Sequence, residues 1–250
     1  MQVFLTLTRR ELGFFFGSIV GYVIIAGAVF LTGLSIVDLL LLLQGESTSM
    51  PITQLFYNTS YFWTILLLSA PLTTMRLFAQ EKASGTFETL MTAPVGDLAV
   101  VMAKFTAAMV FYTMLWLPST ASIFILRDFL PQKSAVDFGI LASTHLGIFL
   151  LGSLFISIGC FASAITRSQV VAAMISFTLG YTMYLLSYLP GYMPASASWQ
   201  SALASHVSLF DHMTDFSRGV VDTRHVVFYV TLSILFLFLT LRAVQSRRWR

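Results

Sequence analysis

The sequence predicts an all-α integral membrane protein with six transmembrane helices behind an N-terminal amphipathic interfacial helix. Three observations carry this prediction. Of 250 residues, 57% are apolar and only 10% charged, against about 25% charged in an ordinary soluble domain. The mean hydropathy is +0.83, so the chain has too little polar surface to cover a globule and too much apolar surface for disorder. The apolar residues gather into six segments, each near the roughly 20 residues that a spanning helix needs and too long, without strict alternation, for a barrel strand.

Residues 2–16 form the first element. Val3, Phe4, Leu7 and Phe14 fall roughly on one helical side, with Thr6, Arg9, Arg10 and Gly13 roughly opposite. That pattern predicts a helix lying in the interface. The spans follow at about 17–37, 56–76, 99–125, 138–164, 169–190 and 225–245, within one transmembrane domain covering 17–250. The end of the first is open: it stops near residue 37, or runs on past Asp38 through Leu39 to Leu43. The apolar stretch after Arg9 and Arg10 exceeds the roughly 7–15 residues of a signal core, so no cleavage is expected.

Six spans put both termini on one side. Arg9, Arg10, Arg76, Lys82, Lys104, Arg167, Arg242, Arg247, Arg248 and Arg250 share that side. Arg127, Lys133, Arg218 and Arg224 take the other, completing the 14 basic residues. The excess predicts cytoplasmic termini. The net charge of +3 is therefore assigned to the membrane surface rather than to nucleic acid.

Several chemistries are missing. None of Lys82, Lys104 and Lys133 follows a glycine, so no phosphate-cradling Gly-Lys-Ser/Thr loop exists. The single cysteine, Cys160, excludes an intrachain disulfide and a multi-cysteine metal site. No H-E-x-x-H or G-x-S-x-G motif occurs. His145 is the main ionisable candidate inside a span. His206, Asp211, His212 and Asp215 cluster in the outer segment, 191–224. However, Leu209, Met213, Phe216 and Val220 on one face, with Asp211, Asp215, Arg218 and Asp222 on another, predict an interfacial helix there. No metal is expected.

Two packing patterns stand out. Gly13, Gly17 and Gly21 recur every four residues, which permits close helix approach, either within one subunit or at a dimer seam. Ser153, Ser157, Gly159 and Ser163 supply further small positions. Tyr57, Tyr61, Trp63, Trp199 and Trp249 near span ends fit interfacial anchors.

The most informative stretch links spans two and three, about 77–97. It runs Pro71-Leu-Thr-Thr-Met-Arg76-Leu-Phe-Ala-Gln-Glu81-Lys-Ala-Ser-Gly85-Thr86-Phe-Glu88-Thr89-Leu-Met-Thr-Ala-Pro94-Val-Gly-Asp97. In one helix Glu81, Gly85 and Glu88 share a face. Pro94 and Gly96 then stop the helix, and Asp97 is placed to cap span three.

This stretch resembles the permease subunits of type-2 ABC transporters (the ABC-2 family). The shared pattern is a proline late in span two, Met-Arg, Glu-Lys-x-x-Gly-Thr-x-Glu-x-Leu and Ala-Pro. Arg10-Glu11-Leu12 before span one looks like that family's interfacial helix. Phe216-Ser217-Arg218-Gly219-Val220-Val221-Asp222 is similar to the branch that includes gliding-motility and copper-processing permeases.

The resemblance implies an exporter subunit in a bacterial inner membrane. It implies a homodimer or related heterodimer of permeases embedded in the bilayer, with two copies of a separate ATPase subunit. ATP and Mg would sit on that partner, leaving this chain without a cofactor, a catalytic residue or a nucleic-acid partner. Glu81, Gly85, Thr86, Glu88, Thr89 and Pro94 would couple to the ATPase, and Arg9, Arg10 and Glu11 would form a second contact. A membrane scaffold, or an intramembrane enzyme using His145 or the outer His/Asp cluster, is the alternative.

Overall fold

The computed structural model describes residues 2–43, 52–57, 59–87, 95–129, 137–192 and 198–246. Among them, every regular element is a helix. Six helices are long and apolar enough to cross a membrane: Ile19–Leu42, Ser60–Ser84, Asp97–Phe124, Phe138–Ile165, Gln169–Gly191 and Thr223–Gln245.

Helix α1 (Gln2–Phe16) meets α2 (Ile19–Leu43) at a sharp elbow. Ser18 Oγ accepts from Gly21 N at 3.1 Å, satisfying one of the N–H groups that every helix start leaves open. A Cβ on Gly21 would strike the Phe15 carbonyl, and one on Gly17 would sit 2.8 Å from the Gly13 carbonyl. The glycine repeat thus closes this bend within one chain. Further along α2, Asp38 accepts from Tyr61 Oη at 2.8 Å.

After the short α3 (Ile52–Tyr57) come α4 (Ser60–Thr74) and the small α5 (Ala79–Ser84), joined by a turn at 75–78. The third span is α6 (Asp97–Leu115) continued by α7 (Leu117–Phe129). Gly96, not Asp97, takes the capping position, and Asp97 opens the first turn. There its negative charge suits the positive end of the helix dipole.

The axis of the fold is α8 (Phe138–Ile165), whose apolar window is 78% buried, against 17% for the last span. Helices α4, α6, α9 (Gln169–Leu186) and α13 (Thr223–Gln245) all pack on it. Glycines make this possible: the Tyr112 ring fills the space a Cβ would need at Gly152, and the Thr74 side chain does so at Gly159. Tyr57 and Trp63 are buried at 1% and 2% exposure within an aromatic cluster with Phe62 and Trp116. They are core residues and not the interfacial anchors expected from their position near a span end.

Beyond α10 (Leu189–Tyr192) and α11 (Ser198–Val207), the segment before the last span folds as α12 (Leu209–Ser217). Leu209, Met213 and Phe216 are buried, but Val220 is not. The expected face stops short because the helix ends in a Schellman motif. Gly219 has φ +90°, Gly219 N donates to Phe216 O at 3.1 Å, and Val220 N donates to Asp215 O at 3.0 Å. Ser143 and Thr53 hydroxyls donate to the Phe216 and Ser217 carbonyls at 2.7 and 3.0 Å. This segment is therefore locked into the bundle rather than resting on it.

His212, on α12, is fully buried, with Nδ1 3.2 Å from Tyr229 Oη and its ring 3.9 Å from that of His225. Burial, and then the neighbouring His225 and His206, push its pKa down to about 3 from the ordinary 6.5. The folded chain keeps His212 neutral where the unfolded chain would protonate it. This contribution to stability is full above about pH 6.5 and lost as pH falls toward 3. Thermal unfolding in detergent should show a midpoint that drops between pH 7 and 5. The drop should be smaller in His212→Phe. An equal drop in both would remove His212 as the cause.

Candidate functional site

Four charged side chains meet where α1, α5 and α6 converge. Glu11 Oε1 lies 2.8 Å from Arg10 Nη2 and 3.0 Å from Lys104 Nζ. Glu81 Oε1 lies 2.9 Å from the same arginine nitrogen and 3.0 Å from the same lysine. Two cations and two anions cancel, and each carboxylate is shared by both cations. The Lys104 and Glu11 side chains are 3% and 9% exposed, so water screens little of their charge. Lys104 also lies 5.4 Å from the Phe78 ring centroid, a cation–π contact.

The reason for this closure lies in Lys104. It sits two turns into a spanning helix, about 10 Å from its start, among buried Val100, Val101, Ala103, Ala107 and Ala108. An ammonium group there costs several kcal/mol unless paired. Glu11 comes from α1, which packs along α6; Glu81 comes from α5. Pairing one lysine therefore pulls three elements together.

A second set of contacts fixes α5 to α8. Phe78 N and Ala79 N donate to Ser163 Oγ at 3.0 and 3.1 Å, so a serine from another helix caps the start of α5. Ser163 Oγ also donates to Met75 O at 3.2 Å. Lys82 Nζ donates to the Ala164 carbonyl in the last turn of α8, where the helix dipole favours a cation. Helix α5 is thus tied to α1, α6 and α8 through groups on only a few residues.

Several expectations change here. Glu81, on the face expected to meet the ATPase, is turned inward, its side chain 18% exposed. The expected continuous helix through Glu81, Gly85 and Glu88 is broken, because α5 ends at Ser84 and Gly85 takes φ +78°. Among the described residues nothing lies within 4 Å of a Cβ built on Gly85, so its left-handed conformation explains the glycine. Thr86 Oγ1 donates to the Glu81 carbonyl at 3.4 Å, closing the helix end. Glu88, Thr89 and Pro94 lie outside the described residues. On α1, Arg9 is exposed, whereas Glu11 lies on the buried face with Thr8 and Phe15. Val3 and Phe14, on the apolar side expected to face the interface, are not covered by the rest of the chain, at 48% and 62% exposure.

Lys104, Ser163 and Lys82 were missed as site residues. The signal for Lys104 was its place inside an apolar span, where an ionisable group needs a named partner. Ser163 carried no such signal, since a capping contact across helices depends on the packing. His145, the ionisable candidate of the spans, has Nε2 2.7 Å from Thr120 Oγ1 and Nδ1 2.9 Å from Leu141 O. Those contacts give it a structural place between two helices. Among the described residues, no three His, Cys, Asp or Glu side chains gather as a metal site.

Removing Lys104 would leave two carboxylates facing one exposed arginine. Lys104→Met should destabilise the protein by about 3–5 kcal/mol, the usual cost of breaking a buried pair. Arg10→Met, at a side chain 42% exposed, should cost about 1 kcal/mol or less. Thermal unfolding in detergent separates them. Equal effects would contradict the central place of Lys104.

A protein-family comparison places this architecture. Residues 14–208 match the family model described as ABC-2 family transporter protein. No curated protein matches the chain. The matched region contains all of α2 through α11, including α5, Lys104 and Ser163. A match over most of the chain, together with six helices able to span a bilayer, places this protein in the ABC-2 family as a multi-pass membrane permease of an ATP-binding-cassette transporter.

Proposed function

We propose that the chain is the membrane subunit of an exporter in a bacterial inner membrane, with both termini cytoplasmic. It pairs with itself or a related permease and engages two ATPase subunits, which carry ATP and Mg. The absence of any Gly-Lys pair in the sequence supports hydrolysis on a separate chain. The basic residues concentrated at the α1 end support its cytoplasmic placement.

One observation carries the coupling role: Glu81 is bonded at once to Arg10 of α1 and Lys104 of α6. A push on α5 from an ATPase would reach span three through Lys104 and the elbow of span one through Arg10. It would reach span four through Ser163 and Lys82. The segment 77–97, with Gly85, Thr86, Glu88, Thr89 and Pro94, supplies the ATPase-facing surface. Exposed Arg9 adds a contact from α1, while Arg10 and Glu11 act from behind as part of the linkage.

The cargo path lies between the two permeases, along α9 and the turn that follows it. Phe177, Tyr181 and Tyr188 are exposed there at 39%, 41% and 45%. Phe177 and Tyr181 stack, and Tyr184 and Tyr188 hydroxyls are 2.8 Å apart. A row of hydroxyls is poorly suited to acyl chains and well suited to a companion subunit or a passing substrate.

Glu81→Gln tests the coupling. The changed group faces away from the ATPase, so the variant should retain its partner at wild-type yield. Transport per ATP hydrolysed should fall at least about fivefold, within the usual range of coupling energies. Complex yield, ATPase rate and cargo transport should be measured on the same preparations. Wild-type values for all three would sink the linkage.

A further inference from the structure

Between the α1–α2 elbow and the turn leading into α5 lies a cavity of about 540 Å³. Its wall holds three cations, Arg10, Arg76 and Lys104, and two anions, Glu11 and Glu81. Arg10 and Lys104 are neutralised by the two carboxylates. Arg76 is not: among the described residues its hydrogen-bond partner is the neutral Ser18 Oγ, 3.2 Å from Nη1, and its Nε is buried without one. The cavity therefore carries one net positive charge, localised on a half-buried guanidinium. The rest of its lining includes Phe14, Phe15 and Leu77, and Phe14 is 62% exposed at the rim.

We propose that this cavity binds the phosphate of a membrane phospholipid, with Arg76 as its anion partner and Phe14 against the hydrocarbon. The position supports this occupant. Arg76 lies in the turn between α4 and α5, and the cavity sits beside the α1–α2 elbow, which on the proposed topology sets it at headgroup depth. A guanidinium without a carboxylate favours a phosphate oxygen. The exposed aromatic rim favours a ligand with a tail over a bare ion. The lipid would brace α1 against α5, behind the coupling surface. The inference rests on this end lying at the membrane surface, and its test is independent of transport because it uses the permease alone.

The test titrates delipidated full-length chain with dioleoylphosphatidylglycerol and, separately, with inorganic phosphate, following bound species by native mass spectrometry. The wild type should hold one tightly retained lipid per chain. Arg76→Gln should weaken that binding about tenfold or more, the usual worth of a hydrogen bond to a charged group. Arg76→Lys, which keeps the charge, should lose less than Arg76→Gln, and Arg242→Gln, on the last span, should match wild type. Undiminished lipid binding in a folded Arg76→Gln chain would overturn the proposal. So would inorganic phosphate binding as tightly as the lipid. If Arg76→Gln does not fold, equal binding by wild type and Arg76→Lys at raised ionic strength, with Arg242→Gln weakened as much as either, would overturn it.

Discussion

A lysine inside a membrane-spanning helix must find negative charge, and much of this molecule is arranged around that need. Lys104 is satisfied by Glu11 and Glu81 together, at 3.0 Å each. Neither carboxylate comes from its own helix. The pairing fixes how α1 lies along α6 and where α5 sits beneath both. Arg10 completes the charge balance from the partly exposed side. Such a cluster contributes little net stability relative to a well-packed apolar one. Its strength is positional, since removing one member strands the others.

The second constraint is steric. Helix α8 accepts neighbours closely because Gly147, Gly152 and Gly159 leave room for Phe216, Tyr112 and Thr74. Its two ends then do different work. At one end Ser163 and the Ala164 carbonyl hold α5. At the other, Ser143 and Thr144 receive the end of α12. Helix α8 thus grips a different short helix at each of its ends.

Much of this was legible in the sequence, for physical reasons. Long apolar segments have few alternatives to spanning helices, and the Gly85-Thr86 and Arg10-Glu11 motifs marked the elements that converge. What the sequence did not reveal were relations across helices. Helical periodicity placed Glu81, Gly85 and Glu88 on one face, but Gly85 adopts φ +78° and ends the helix. Val220 fitted the α12 pattern until the Gly219 turn ended it. Tyr57 and Trp63 looked like interfacial aromatics because burial by a neighbouring helix leaves no periodic trace. Lys104 was counted only toward topology, although an ion within an apolar span called for a partner.

The central claim is that α1, α5 and the start of α6 move as one body when the ATPase closes. Spin labels at Arg9 and Ser84, both exposed, report the α1–α5 separation directly by pulsed electron–electron resonance. The native Cys160 is buried and leaves the labelled sites distinct. In the assembled transporter the Arg9–Ser84 distance should stay the same with and without ATP, while the distance from Ser84 to its counterpart in the companion permease changes. A nucleotide-dependent shift between Arg9 and Ser84 within one chain would contradict the account.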